Sequence, residues 1–275
     1  NNGISVHVAI PSVRNYEVNK VIQIHDDMHK APITALQPSR DRQWLVTGCI
    51  DSTVRVWKYE GNHVRLQATL CGHDGSKITC VAISTTYGTI VTGSEDGTVI
   101  MWDLRTLSFV RQLQHHTEQN RRTMPRSVDS VSINDKTGDV LILVDSRVTI
   151  FDINGNIIAT MSSLDIISNK DQPCCAVITD CPEWMVDGIV AITGHKDGSV
   201  LLWGINRDKN ELEMRHIIDP KMHECAITCL KIEGKRQDVL LCGDTSGKMT
   251  MWKTIQLESL NQKDLSTILN ERSEM

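Results

Sequence analysis

Residues 73–103 read HDGSKITCVAISTTYGTIVTGSEDGTVIMWD, and this stretch decides the fold. Gly88-Thr89-Ile90-Val91-Thr92-Gly93 is a short apolar run bounded by glycine, the pattern of a strand buried on both faces. Glu95-Asp96-Gly97 follows as a hairpin turn, in which glycine supplies the positive φ that a tight turn requires. Val99-Ile100-Met101, rich in β-formers, then leads into Trp102. Two strands and a turn in so few residues describe an antiparallel meander.

The unit recurs along the chain. Strand-like runs ending in a large aromatic close at Trp57, Trp102, Phe151, Trp203 and Trp252, at spacings of 45, 49, 52 and 49 residues. Six residues before these aromatics stand Asp51, Asp96, Asp145, Asp197 and, as the exception, Ser246. Ten before stand Thr47, Thr92, Leu141, Thr193 and Cys242, and 28 or 29 before stand His29, His73, Arg122, Cys174 and His223. Chance would not hold three offsets at once. The period is that of a four-stranded propeller blade, about 40–45 residues, lengthened by loop insertions.

In this pattern the chain resembles the WD40 repeat family. The resemblance implies that His, Thr, Asp and Trp fasten each blade: the turn Asp accepts from the His, whose other nitrogen faces the Thr hydroxyl, which meets the indole N–H. Buried polar groups need such partners, and a satisfied network fixes one register. The expected fasteners are His29, Thr47, Asp51 and Trp57, then His73, Thr92, Asp96 and Trp102, with Asp145, Thr193, Asp197, Trp203, His223 and Trp252 from less complete repeats. In the third repeat Leu141 stands where a hydroxyl is expected and Phe151 replaces the indole, so that blade is expected to rely on packing.

The expected fold is therefore an all-β, WD40-type propeller spanning residues 1–253. Residues 29–253 make five blades, and residues 1–28 supply the third and outer strands of an incomplete one, near Gly3–Ala9 and Lys20–His25. A closed ring leaves no sheet edge unprotected. The missing strands are expected from further blades, seven in the intact protein, or from residues 254–275, where Thr254–Leu260 reads as an outer strand and Asn261–Met275 as a polar tail. The opening Asn1-Asn2, without an initiator Met, fits a piece of a longer protein.

Composition narrows the function classes. With 40% hydrophobic and 23% charged residues the chain is of globular type, and its net charge of -5 gives no global attraction to nucleic acid or anionic lipid. No apolar stretch reaches the roughly 20 residues of a membrane-spanning helix, so direct membrane insertion is not expected. Nine cysteines, an odd number without a framework, and the lack of any Asn-x-Ser/Thr site fit free thiols in a cytoplasmic compartment.

Several segments resemble, more specifically, the C-terminal propeller of BEACH-WD40 proteins, the beige, neurobeachin and autophagy-linked FYVE-protein group. They are Leu70-Cys71-Gly72-His73, Ile78-Thr79-Cys80, Ile90 to Ser94, Ile100 to Leu104, Leu107-Ser108-Phe109 and Gln112-Leu113. Ser132-Ile133-Asn134, Thr137 to Val140, Ile153 to Asn156 and Val190 to His195 with Asp197-Gly198 continue the match in order over about half of the chain. No Cys-x-x-Cys pair follows Trp252, so the resemblance is to a FYVE-less, beige-like member. It implies a PH-like and BEACH module upstream, peripheral membrane association through the whole protein, and a propeller that docks partners for vesicle trafficking, protein sorting or autophagy.

The loop from His115 to Arg126 joins the second and third blades and holds three arginines and two adjacent histidines. Arg121, Arg122 and Arg126, with Lys77 of the neighbouring blade, are the candidate patch for an acidic or phosphorylated protein partner, because Arg forks chelate carboxylate and phosphate. Leu164 to Pro173 is the second long loop. His223, Cys225 and Cys229 offer only three ligands where structural zinc takes four, and Cys174, Cys175 and Cys181 lack ligand spacing, so no metal or cofactor is expected. The common nucleophile, phosphate-cradle and zinc-protease motifs are missing, and the histidines follow the repeat, so the chain is expected not to be an enzyme. Two other readings stay open: a generic WD40 adaptor, such as a ligase substrate receptor or coat component, and a phosphoinositide-binding propeller, for which a paired-basic Phe-Arg-Arg-Gly type motif is missing.

Overall fold

The structure, a computed structural model, describes residues 4–11, 16–25, 29, 31–60, 63–114, 126–161, 172–179, 190–206, 208–218, 223–233 and 238–253. These residues form strands and turns. Strands β1 (Ile4–Pro11) and β2 (Tyr16–His25) pair as an antiparallel hairpin. Four meanders of four strands follow: β3 to β6 (residues 33–71), β7 to β10 (78–113), β11 to β14 (128–161) and β15 to β18 (173–218). A fifth has β19 (Ile227–Glu233), β20 (Val239–Asp244) and β21 (Met249–Lys253). These are blades 1 to 5 of a propeller, in which each strand pairs with its sequence neighbour. The outer strands of blades 3 and 4 also pair in parallel, Thr160 with Glu211 and Met161 with Leu212. The expected outer strand and tail over 254–275 lie outside the described residues. No helix among the described residues is long and apolar enough to cross a membrane.

Blades 2 to 4 are apolar on both faces because each is sandwiched by its neighbours, which explains the continuous apolar runs in the sequence. Four core clusters sit between successive blades. Val46, Val54 and Val56 of blade 1 meet Ile78, Ile90 and Trp102 of blade 2. Val91, Val99 and Met101 meet Val128, Ile142 and Phe151 at the next junction. Leu141, Val148 and Ile150 meet Ala176 and Trp203 at the third, and Ile192, Val200 and Leu202 meet Ile227 and Leu240 at the fourth. From blade 2 onward the aromatic that ends each unit packs toward the preceding blade, which is why its spacing tracks the repeat.

The register repeats as closely as the spacing does. Every innermost strand carries a β-bulge after its first residue, between Ile33/Ala35, Ile78/Cys80, Val128/Ser130, Pro173/Cys175 and Ile227/Cys229. A bulge adds twist and leaves one residue out of the ladder. The extra residues are Thr34, Thr79, Asp129, Cys174 and Thr228. Thr34 Oγ1 donates to the Ile78 carbonyl at 2.5 Å and Thr79 Oγ1 to the Val128 carbonyl at 2.6 Å, so both hydroxyls stitch one blade to the next.

Candidate functional site

The residues singled out in the sequence fall into two places, the blade interiors and the rim around the axial channel. In blade 2 the Trp102 indole N–H donates to Thr92 Oγ1 at 2.9 Å, and that hydroxyl lies 2.8 Å from His73 Nε2. His73 Nδ1 lies 2.7 Å from the Thr98 hydroxyl, which donates to Asp96 Oδ1 at 2.6 Å. The two ends fix the direction throughout: Thr92 spends its single proton on Nε2, so Nδ1 carries the imidazole proton. Blade 1 repeats the order, with Trp57 to Thr47 at 3.0 Å, Thr47 to His29 at 2.8 Å, His29 to Thr53 at 3.5 Å and Thr53 to Asp51 at 2.5 Å. The histidine therefore reaches its aspartate through a hydroxyl, which corrects the direct His–Asp contact expected from the sequence. Thr53 and Thr98 were missed there, although Asp-x-Thr/Ser recurs at Asp51, Asp96 and Asp197.

Electrostatics agree with a neutral imidazole. Burial first, and then the nearby Arg55 guanidinium, lowers the His29 pKa to about 4, against an opposing pull from Asp51. Burial likewise lowers that of His73. For Asp51 and Asp96 burial works the other way, but the hydroxyl and amide of Thr53 and Thr98 outweigh it and hold both carboxyls below the ordinary range.

Blades 3, 4 and 5 depart from the expectation. Asp145 is not a fastener: with Ser146 it forms a two-residue turn, both at positive φ, one residue shorter than the turn that holds Asp96. That shift also puts Ile142, rather than Leu141, opposite Thr149 at the hydroxyl's place. Phe151, fully buried, packs against blade 2 without a polar partner to satisfy. In blade 4, Trp203 donates to Thr193 at 2.8 Å, but the imidazole 2.7 Å from Thr193 belongs to His195, where Cys174 stands at the usual histidine offset. Asp197 accepts from the Ser199 amide and hydroxyl.

In blade 5, His223 Nδ1 lies 2.7 Å from Asp244 Oδ2 and its Nε2 2.7 Å from Thr250 Oγ1. Asp244 also accepts from the Ser246 hydroxyl at 2.5 Å. That bond, followed by the one from His223, holds the Asp244 carboxyl far below the usual carboxylate range. The Trp252 ring stands 6.1 Å from the His223 ring, centroid to centroid.

Among the described residues His29, Cys49 and Asp51 bring three donor atoms within 4.8 Å of one another. Both His29 nitrogens already face hydroxyls, the Cys49 thiol donates to the Ala31 carbonyl at 3.1 Å, and burial pushes that thiol's pKa up. These are the donors of a fastened blade. The His223 group is committed in the same way through Asp244 and Thr250.

The five innermost strands line an axial channel of about 540 Å³. Its charged lining includes Arg40, Arg42 and Lys231 and, against them, Asp129, Asp135 and Glu233. Burial, and then the Asp145 carboxylate, raises the Asp129 pKa, with Lys196 opposing. Lys231 Nζ donates to Gln37 Oε1 at 3.1 Å, linking blade 5 to blade 1.

On the rim, the Lys77 carbonyl accepts from the Glu95 amide at 2.9 Å, and the Arg126 carbonyl lies against Gly97 at the other side of the same hairpin. Both members of the expected patch that are described thus flank one turn. The Arg126 guanidinium is paired with Asp145, both half-exposed. Arg121 and Arg122 lie outside the described residues, as does most of the Leu164–Pro173 loop.

The WD domain, G-beta repeat family model matches residues 20–58 and 64–103. "Protein SPIRRIG" of Arabidopsis thaliana is 28% identical over 90% of the chain, and "BEACH domain-containing protein A2" of the same plant is 27% identical over 86%. The chain carries WD40 repeats and is similar, over most of its length, to BEACH-domain proteins. It spans only 7% of the length of either relative. A solved structure, "Structure of U3-55K", superimposes with a TM-score of 0.62 at 16% identity over 82% of the chain and 62% of that structure, a likeness of fold alone.

Proposed function

We propose that this propeller is a protein-docking scaffold within a BEACH-family protein that acts in vesicle trafficking, protein sorting or autophagy. The observation that carries the reading is the commitment of the histidines. His29, His73, His195 and His223 each sit in a hydrogen-bonded chain inside a blade, which leaves the rim and channel mouth as the surface for partners. WD40 propellers present such rims to other proteins, which supports a non-catalytic role. The working location is cytoplasmic, at membranes reached through other parts of the polypeptide.

The docking site is the rim between blades 2 and 3, where Lys77 and Arg126 flank the Ser94–Gly97 hairpin and residues 115–125 connect the blades. Its partner is an acidic or phosphorylated segment, whose carboxylate or phosphate displaces Asp145 from the Arg126 fork. The test is a pull-down comparing the wild-type chain with Arg121→Ala/Arg122→Ala/Arg126→Ala. Loss of a captured protein, stronger in low salt, supports the site; identical capture at low and high salt removes it. Liposome flotation checks the phosphoinositide alternative, and the scaffold reading expects no flotation.

A further inference from the structure

Of the five bulge residues in the innermost strands, four hold a carbonyl and the fifth meets no donor. Thr34 and Thr79 donate to the next blade, Thr228 Oγ1 donates to the Gly243 carbonyl at 3.1 Å, and the Cys174 thiol to the Gln172 carbonyl at 3.7 Å. Asp129 has no proton to donate, and among the described residues no hydrogen bond or ion pair engages its carboxylate. The stitch that Thr34 and Thr79 make has passed to its neighbour: Ser130 Oγ donates to the Ala176 carbonyl at 2.9 Å, joining blade 3 to blade 4. The blade junction therefore does not use the carboxylate at 129, and partial burial of an unpaired charge costs stability.

Asp129 lines the axial channel at the end where the Asp145–Ser146 turn and Arg126 stand. Burial, and then the charge of Asp145, opposes its ionisation, while the charge of Lys196 favours it. Lys196 is turned to another task, its Nζ donating to Gln172 Oε1 at 2.6 Å. Asp145 is shared: it pairs with Arg126, and its charge also bears on Asp129. When an incoming anion takes Arg126, as the docking site above requires, Asp145 and Asp129 are left with mutually repelling charges, an arrangement that disfavours the ionised form of both. A cation arriving with that anion removes the penalty.

We propose that the partner segment is bipolar: while its acidic or phosphorylated residue takes the Arg126 guanidinium, a basic side chain of the same segment enters the channel mouth and settles on Asp129, with Asp145 as its second acceptor. This rests on docking at the rim between blades 2 and 3. Charge complementarity selects the occupant, since the released Asp145 and the unpaired Asp129 both need donors and have none to offer. A guanidinium suits the place best, because its planar fork can meet two carboxylates at once. Arg126 and Asp129 are three positions apart. That is at most roughly 10 Å of extended chain, so the two partner residues lie within about four positions of each other.

Two synthetic peptides test this by fluorescence anisotropy on the 275-residue chain at low salt: acetyl-phosphoserine-Gly-Gly-Arg-amide, and the same peptide with Gln for Arg. The bipolar peptide should bind at least roughly tenfold tighter than the Gln peptide, the scale of coupling between close charge pairs. Asp129→Asn, which is isosteric and breaks no hydrogen bond among the described residues, should bring that ratio near one. Asp135→Asn removes an equal charge from the channel lining beyond the far end of β11 and should leave the ratio standing. A wild-type ratio near one, a ratio that survives Asp129→Asn, or one that falls equally with Asp135→Asn overturns the proposal. The docking site itself survives those results provided that Arg126→Ala still weakens the Gln peptide. If neither peptide binds, or Arg126→Ala changes nothing, the docking reading falls and takes this proposal with it.

Discussion

His223 and Asp244 are joined directly, Nδ1 to Oδ2 at 2.7 Å, with both side chains 1% exposed. Blades 1 and 2 reach the aspartate from the histidine through a threonine, so blade 5 makes the same connection one link shorter. Its Asp lies eight residues before Trp252 rather than six, and Asp244-x-Ser246 keeps the local turn bonding of Asp96-x-Thr98. Asp244→Leu is therefore expected to lower the thermal unfolding midpoint clearly, and Asp145→Leu in the exposed turn to leave it nearly unchanged. Parallel thermal melts read the difference; equal effects would show that the blade 5 link carries no stability.

Thr98→Val should destabilise the chain by about 1–3 kcal/mol, because it leaves His73 Nδ1 and Asp96 without their shared hydroxyl. Thr98→Ser keeps the hydroxyl and should cost much less. Urea unfolding of the pair tests this, and comparable midpoints for both variants would discount the bridging role.

Acid should weaken the fold before the carboxylates protonate. His29 has its pKa lowered to about 4 from an ordinary 6.5, so below about pH 6.5 the unfolded chain takes up a proton that the folded chain refuses. Stability present above that range declines as pH falls and stops declining from this source near pH 4. Asp51 and Asp96, held below their ordinary range, add a loss in the same direction at lower pH. His29→Gln should flatten the pH 6.5 to 4 part of the midpoint profile; an unchanged slope would assign it to other groups.

Gly194→Ala should destabilise by about 1–3 kcal/mol, since its new methyl meets Ile227 at 2.5 Å inside a packed junction. Gly243→Ala, at the same register with no facing blade among the described residues, should cost less in the 275-residue chain. Chemical denaturation of both variants gives the comparison, and a larger loss at Gly243 contradicts the packing account.

Arg126→Ala should change stability by less than about 1 kcal/mol, because the Arg126–Asp145 pair is 58% and 42% exposed and exposed pairs contribute little. The same unfolding measurement settles whether the variant is sound enough for binding work, and a large loss would make Arg126 structural.

Much of this was legible in the chain because a repeat writes the same instruction several times. Trp57, Trp102 and Trp203, with Thr47, Thr92 and Thr193, marked the strands and the indole–hydroxyl contacts. Counting from the aromatic failed where a turn changed length: Asp145 kept the offset of Asp96, yet a two-residue hairpin moved it out of the equivalent place. It failed again where another position supplied the group, as His195 of the next strand does for Cys174, and Asp244 at the head of the same turn does for Ser246. Offsets track position along the backbone, whereas a hydrogen bond needs only proximity, so side chains can exchange roles without preserving the count. The bridging hydroxyls of Thr53 and Thr98 were readable as Asp-x-Thr.

The bulge in each innermost strand has a consequence for how this chain can diverge. Its extra residue sits outside the ladder, so its side chain can change while the paired strands keep their register. At Asp129, Cys174 and Thr228 that residue also lines the channel, which places carboxylate, thiol and hydroxyl chemistry around one axis. Three such stations on a fixed frame would let related proteins retune what the axis admits without refolding a single blade.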